Sequence, residues 1–462
     1  MGAPSVNLKL FIERVSAKVS KVILSDSALF IVPSLATTLA SCIMFWLLRD
    51  YAARELNAIA VIIMSSVILS IVGTASFQFV IYKKVGEGNL SKELMAKEKG
   101  VSTFLVLGIM TSILFSILSS GLAYPYFKYV LHYSILQFAY FAILLSLYSI
   151  TWVLTAAFWA SSKYRYPAFI FAFSYSAVFL LSYSVYHLNP SYTLCGYIAG
   201  IAILLTLLIL ASRRVFGISV KRSKLLEAFI TMPELLLKEY WGILFQTFFT
   251  VAILLDKIIV WVSEGTKAGN GLQILGPYTT GAFLGLLPTL SIATLAYFTE
   301  KIKPSSKDLY TGTLTDIRRR IEEYKRLYRR GLLTMLAAGF ILLVLAVGFT
   351  AYYIDDAKVL AIVLTTATGA LFFEVILYNS FVLPIFSKSH ISAVSVMTVC
   401  LAEILAAPFV SNNIWYASLG FLVGSFIGFL VSYSWTTKLL SEFDYNAFRA
   451  FQKMGQKIES AG

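Results

Sequence analysis

The chain has 462 residues, of which 58% are hydrophobic and 13% are charged, and its mean hydropathy is +0.78. Soluble domains carry about 25% charged residues, so this composition excludes a soluble enzyme, and the long apolar runs exclude a disordered chain or an outer-membrane barrel. The formal net charge of +14 does not call for a nucleic-acid partner, because basic residues collect on the cytoplasmic loops of membrane proteins. The sequence therefore predicts an all-α polytopic membrane protein.

The apolar runs divide into about twelve predicted transmembrane helices. Each is near or above the roughly 20 residues that a helix needs to cross the hydrocarbon core. The first run is long enough to stay as a span, so no cleavable signal is predicted. In chain order, the predicted spans are 28–48, 57–82, 101–123, 134–160, 166–186, 191–212, 241–263, 278–298, 331–353, 358–387, 390–410 and 413–437.

The loop charges support this count and predict the orientation. The N-terminus and every second connection together hold 32 Lys and Arg residues, whereas the intervening loops hold 5. This asymmetry places both termini in the cytoplasm and the chain in the cytoplasmic membrane. In both halves the most basic loop follows the second span, which predicts two parallel six-helix lobes. The predicted parts are an interfacial segment (1–27), the N-terminal lobe (28–212), a cytoplasmic linker (213–240), the C-terminal lobe (241–437) and a cytoplasmic amphipathic tail (438–462).

Sequence motifs for catalysis or nucleotide binding are absent. The chain has no Walker-type phosphate loop, no HExxH motif and no GxSxG motif, so neither enzymatic activity nor ATP-driven transport by this chain alone is predicted. Cys42, Cys195 and Cys400 are too few and too dispersed for a disulfide framework or a metal site. We therefore expect no cofactor and no bound metal.

Ionisable residues inside the predicted spans are the most informative positions. Each costs about 2.5–3.5 kcal/mol near the centre of a membrane helix, so such residues usually pair or serve transport. Asp256 and Lys257 lie in the seventh span, Glu374 in the tenth and Glu403 in the eleventh, and Glu300 lies at the inner end of the eighth. We expect the four acidic residues either to couple transport to an ion or to form buried polar contacts.

Four residues of the seventh span form a candidate substrate pathway. Gln246, Thr250 and Lys257 share one helical face, and Trp261 lies one turn further on. Exposure of these polar groups to lipid would leave them without hydrogen-bond partners. The face is therefore expected to line a polar pathway, where the polar groups bind sugar hydroxyls and the indole stacks on a sugar ring. The alternative is an internal arrangement that only fixes helix packing.

The basic loop 299–330 and a glycine pattern suggest further contacts. Arg318, Arg319 and Arg320 are candidates for docking a cytoplasmic partner, and the apolar stripe of this loop alternatively fits a helix on the inner leaflet. In the twelfth span, Gly420, Gly424 and Gly428 form a GxxxGxxxG ridge, which predicts close helix packing.

Several features of the second half occur in a distinctive order. They are the Asp-Lys-plus-aromatic run Leu255–Trp261, Tyr278 and Leu287-Pro288 in the next span, the acidic residue Glu300 that closes that span, the basic amphipathic stretch Ile317–Arg330 and the C-terminal Glu442–Tyr445. These features resemble those of the PelG family, the polytopic subunit of an exopolysaccharide transporter. The resemblance implies the two-lobed MATE-like fold of the multidrug/oligosaccharidyl-lipid/polysaccharide (MOP) superfamily. It also implies saccharide movement across the cytoplasmic membrane and a cytoplasmic glycosyltransferase as partner.

Three alternative functions stay open at the level of sequence. A lipid-linked oligosaccharide flippase should have basic groups in its cavity for the pyrophosphate, and only Lys257 is clearly both intramembrane and basic. A cation-coupled exporter of small molecules would depend most on Glu374 and Glu403. A scaffold that recruits a polysaccharide synthase without transporting anything would use the basic loop 299–330 equally well.

Overall fold

The computed structural model describes residues 53–89, 94–188, 192–217, 239–268, 271–274, 276–291, 314–354, 356–383 and 388–442, and a few isolated positions besides. Every regular element in these ranges is helical, which confirms the predicted all-α class. The helices are α1 (Ala53–Asn89), α2 (Leu94–Tyr129), α3 (Ile135–Ala160), α4 (Arg165–Leu188), α5 (Thr193–Phe216), α6 (Tyr240–Lys267), α7 (Pro277–Gly285), α8 (Leu314–Tyr353), α9 (Ala357–Val382), α10 (Ser389–Val410) and α11 (Trp415–Ser441). A 3-10 helix, Leu287–Ser291, lies between α7 and α8.

Within the described residues, ten helices are long and apolar enough to cross a membrane. They correspond to predicted spans two to seven and nine to twelve. Most of the first predicted span lies outside the described residues. The eighth begins as α7 and the 3-10 helix, and residues 292–298 also lie outside them. The multi-pass membrane protein is thus confirmed, and the count of twelve stays a prediction.

The described residues cluster into two compact units, one within 29–279 and the other within 280–462. In the first unit, α1 packs along α3, α4 packs along α5, and α6 contacts α1. In the second unit, α11 packs against both α9 and α10, while α8 and the 3-10 helix contact α9. The five-part division predicted from the loop charges stays a prediction.

Local signals in the sequence explain several helix ends. Ser134 and Gln137 form a capping box at the start of α3, in which each side chain binds the backbone of the other residue. The Asp356 carboxylate accepts hydrogen bonds from the backbone N–H groups of Lys358 and Val359 and caps α9. Helix α5 ends at Gly217, whose positive φ of 57° suits a residue without a Cβ atom.

Helix α8 is longer than the predicted ninth span. It is 40 residues long and joins the basic stretch before the span to the span itself without a break. Ile321, Tyr324 and Tyr328 of this stretch are buried in the second unit. The apolar stripe of the loop therefore packs against protein, and only the opposite side of α8 is left for lipid or a partner.

The glycine ridge of α11 packs directly against α10. A Cβ atom on Gly424 would lie 2.7 Å from the Val399 Cα atom, and one on Gly428 would lie 2.3 Å from the Ser395 carbonyl oxygen. Distances this short leave no space for a side chain, so the two helix backbones approach as the GxxxGxxxG spacing predicts.

Candidate functional site

The adjacent residues Asp256 and Lys257 form a fully buried ion pair on α6. The Lys257 ammonium lies 2.8 Å from Asp256 Oδ1 and also donates to the Ile253 carbonyl oxygen at 2.9 Å. The Tyr278 hydroxyl donates to the other carboxylate oxygen, Oδ2, at 2.7 Å. Both carboxylate oxygens therefore accept hydrogen bonds. A buried ion pair is tolerated when its polar atoms are satisfied in this way, because the hydrogen bonds offset the cost of removing the charges from water.

The segment that follows α6 folds back beside this ion pair. The Trp261 indole N–H donates to the Thr279 hydroxyl at 2.8 Å, and that hydroxyl donates to the Ile274 carbonyl oxygen. The backbone N–H of Gln273 donates to the Trp261 carbonyl oxygen at 2.9 Å. These bonds fix Trp261 and the start of α7 against each other.

The Asn57 side chain of α1 holds the same segment from the other side. Its amide nitrogen donates to the Leu272 carbonyl oxygen at 2.8 Å, and its amide oxygen accepts from the Ile274 N–H at 2.9 Å. A Cβ atom on Gly265 would lie 2.4 Å from the Leu272 backbone nitrogen, so only glycine permits this close approach. We refer to residues 271–274 as the strap, because they lie between α6 and α7 and are tied to α1.

The four predicted pathway residues lie along α6 in the predicted order. Gln246 is half-buried, whereas Thr250, Lys257 and Trp261 are buried. The Thr250 hydroxyl donates to the Gln246 carbonyl oxygen at 3.0 Å, and the polar atoms of Lys257 and Trp261 are engaged as described above. In this conformation, the Lys257 ammonium contacts groups of α6 itself.

The acidic residues of the second unit lie on separate helices. Glu374 of α9 is 2% exposed, and a Cβ atom built on Gly339 of α8 would lie 2.7 Å from Glu374 Oε2. The buried Ser291 hydroxyl is a polar neighbour of this carboxyl group. Glu403 of α10 is 1% exposed and packs against Gly420. Glu300 lies outside the described residues.

The candidate docking arginines are only partly described. The Arg319 side chain is 82% exposed and lies 3.4 Å from the Glu323 carboxylate. The side chains of Arg318 and Arg320 lie outside the described part of the chain. Within that part, no three His, Cys, Asp or Glu side chains are grouped closely enough to hold a metal ion.

The structure also reveals a buried hydroxyl network that the sequence analysis missed. In the first unit, the Tyr148 hydroxyl lies 2.7 Å from that of Tyr197 and 3.3 Å from that of Tyr175. The Tyr175 hydroxyl donates to Thr37 Oγ1 at 3.0 Å. The three tyrosines lie on three different helices, and tyrosine is common near membrane surfaces. The sequence therefore does not identify them as a group. Asn57 was missed as well, because it sits at the edge of a predicted span.

The comparisons with known proteins agree with this architecture. The PelG exopolysaccharide exporter (EPS-E) family model matches residues 17–448, whereas none of the curated proteins matches the chain. The fold is similar to that of the eukaryotic MATE transporter AtDTX14, with a TM-score of 0.67 at 13% identity over 95% of this chain and 99% of that chain.

Two further solved structures have similar folds. A MOP superfamily transporter from Pyrococcus furiosus has a TM-score of 0.63 at 13% identity, and the match covers 92% of this chain and 96% of that chain. A variant of the Vibrio cholerae MATE transporter VcmN has a TM-score of 0.63 at 12% identity, over 93% of this chain and 98% of that chain. At such low identities these likenesses establish the fold alone.

Proposed function

The chain belongs to the PelG exopolysaccharide exporter family, and we propose that it moves a saccharide chain across the cytoplasmic membrane with both termini in the cytoplasm. The family match over residues 17–448 is the observation that carries the proposal. The family match, together with the MATE-like fold, supports a transporter rather than an enzyme. The excess of basic residues in alternate loops supports the orientation.

The stripe Gln246, Thr250, Lys257 and Trp261 is the proposed path of the saccharide along α6. Amide, hydroxyl and ammonium groups at helical spacing can exchange hydrogen bonds with successive sugar hydroxyls, and an indole ring can stack on a sugar. In the conformation described here, Lys257 binds Asp256. We therefore propose that sugar hydroxyls compete with Asp256 for the Lys257 ammonium when the pathway opens. The Tyr278 hydroxyl would keep its hydrogen bond to the Asp256 carboxylate.

A glycosyltransferase on the cytoplasmic side is the proposed partner. A polymerising enzyme must hand its growing product to the exporter, and an exposed basic segment suits contact with an acidic surface. Arg318, Arg319 and Arg320 lie in α8 just before the buried residues Ile321, Tyr324 and Tyr328. The Arg319 side chain is 82% exposed. The partner would thus bind the exposed side of α8, next to the buried side that packs in the second unit.

Export can be tested with inverted membrane vesicles from polysaccharide-producing cells, supplied with a radiolabelled nucleotide sugar. Vesicles with the wild-type protein should enclose labelled polymer in the lumen, where an added glycoside hydrolase cannot reach it. Vesicles that lack the protein should leave polymer accessible to the hydrolase. Complete loss of synthesis without the protein would instead indicate a scaffold of the synthase. Equal enclosure in both preparations would refute export by this chain.

We predict that Glu374 couples export to a cation. A neutral amide of the same shape removes the cost of burying a charge, so Glu374→Gln should leave the melting temperature of the purified protein unchanged or raise it. Vesicle export should nevertheless fall at least about tenfold, the change expected when one charged interaction is lost. The matched control is Glu264→Gln, which changes a surface carboxylate paired with Lys267 and should leave export intact. Full export by Glu374→Gln would remove Glu374 from the mechanism.

A further inference from the structure

One face of α8 is exposed along most of its length. Its exposed apolar side chains recur at spacings of three, four or seven residues, which places them on one side of the helix. Helix α8 is among the ten helices suited to crossing a membrane, so this face is positioned to contact acyl chains. The side chains are Leu333, Phe340, Ile341, Val344, Leu345, Phe349 and Tyr352.

Three arginines stand at the end of this face. Arg326, Arg329 and Arg330 are exposed, and together with Leu333 they occupy positions i, i+3, i+4 and i+7 of one helical face. At a rise of about 1.5 Å per residue, Arg330 lies only about 4.5 Å along the axis from Leu333. The guanidinium groups therefore lie where the apolar face ends, just before the predicted span 331–353, and lipid headgroups are expected at such a position.

The acidic residues of the same segment are already engaged. Glu322 lies 3.7 Å from the Lys325 ammonium, and Glu323 lies 3.4 Å from Arg319. Among the residues that the structure describes, none forms an ion pair with the three arginines. Like charges one helical turn apart repel each other, so an anion bound between the guanidinium groups would stabilise this turn.

The opposite side of this turn is anchored in the second unit. Tyr324 and Tyr328 are buried, and the Tyr328 hydroxyl donates to the Asn379 amide oxygen at 2.7 Å. The Tyr378 hydroxyl donates to the Tyr328 carbonyl oxygen at 3.0 Å. The arginine backbone is thus held in place before any ligand arrives, which lowers the entropy cost of binding.

We propose that Arg326, Arg329 and Arg330 bind the phosphate of an anionic phospholipid whose acyl chains lie along Leu333 and Phe340. The planar guanidinium group matches two phosphate oxygens at once. A lipid fits better than an acidic protein segment, because the apolar face continues directly from the arginines. The site does not depend on which substrate the protein exports.

The test measures lipid binding to the purified full-length protein by native mass spectrometry, with phosphatidylglycerol and phosphatidylcholine as probes. The variant carries Arg326→Gln, Arg329→Gln and Arg330→Gln, and a control that removes two charges carries Arg213→Gln and Arg214→Gln at the exposed end of α5. Each basic residue near an anionic surface raises affinity roughly fivefold, so the triple variant should bind phosphatidylglycerol roughly a hundredfold more weakly. The control variant should keep most of its affinity, and phosphatidylcholine should bind weakly to all three proteins.

Five results would overturn the proposal. The first four are wild-type affinity of the triple variant for phosphatidylglycerol, an equal loss in the control variant, equally tight binding of phosphatidylcholine, and displacement of the lipid by an oligo-glutamate peptide at matched charge. The fourth result would identify the turn as a docking site for an acidic protein, and the fifth concerns a phosphate without acyl chains. Glycerol phosphate, which has the phosphate without acyl chains, should not displace the lipid; if it does, the apolar face makes no contribution and the lipid assignment fails.

Discussion

Replacement of Lys257 by Met should lower the free energy of unfolding by about 3–5 kcal/mol, because it leaves the Asp256 carboxylate buried without its countercharge. The Tyr278 hydroxyl donates one hydrogen bond to that carboxylate, but a single neutral donor does not replace an ammonium at 2.8 Å. Denaturant unfolding of the detergent-purified protein measures the loss. A stability equal to that of the wild type would show that the two charges do not depend on each other.

The double variant Asp256→Asn with Lys257→Met separates folding from transport. Removal of both charges together is often neutral for stability, and the amide oxygen of the introduced asparagine would still accept the Tyr278 hydrogen bond. We expect this variant to recover most of the stability that Lys257→Met loses. If Lys257 binds the saccharide, the recovered protein should still export poorly in the vesicle assay. Normal export would identify the pair as a packing feature of α6.

The sequence predicted the helices well where a long apolar run alone specifies a membrane span. Ten predicted spans match described helices, because a long apolar run is sufficient to specify a membrane helix. The start of α8 could not be predicted in the same way. Its apolar stripe fits a helix on the inner leaflet, yet Ile321, Tyr324 and Tyr328 are buried against the second unit. Charge patterning does not reveal which face of an amphipathic helix has a protein partner.

The candidate site shows the same limit. Asp256 and Lys257 are adjacent in the sequence, so a possible pairing was evident from their cost in a membrane. Their third partner, Tyr278, belongs to the next helix, and Asn57 contacts the strap from more than two hundred residues away. Such contacts depend on tertiary packing, and no periodic pattern in the sequence predicts them. Glu374 was evident as a buried charge, but its position against Gly339 was not.

Substitution of Gly428 by Leu should produce the second large loss of stability, about 3 kcal/mol or more. A Cβ atom there would lie 2.3 Å from the Ser395 carbonyl oxygen and 2.7 Å from Ile376 Cδ1. The side-chain atom of Ile376 can rotate away, but the Ser395 backbone belongs to α10 and can yield only if the helix moves. Helix α11 packs on both α9 and α10, so the displacement should weaken the whole second unit.

Gly348→Leu is the matched control for this substitution. Gly348 also lies within a long membrane helix, α8, but no atom lies within 4 Å of its Cβ position and the residue is exposed. The same added volume therefore meets open space, and a leucine in place of glycine should even favour the helix. Thermal unfolding of the two purified variants should show a large drop for Gly428→Leu and none for Gly348→Leu. Equal melting temperatures would mean that α10 and α11 are not in close backbone contact.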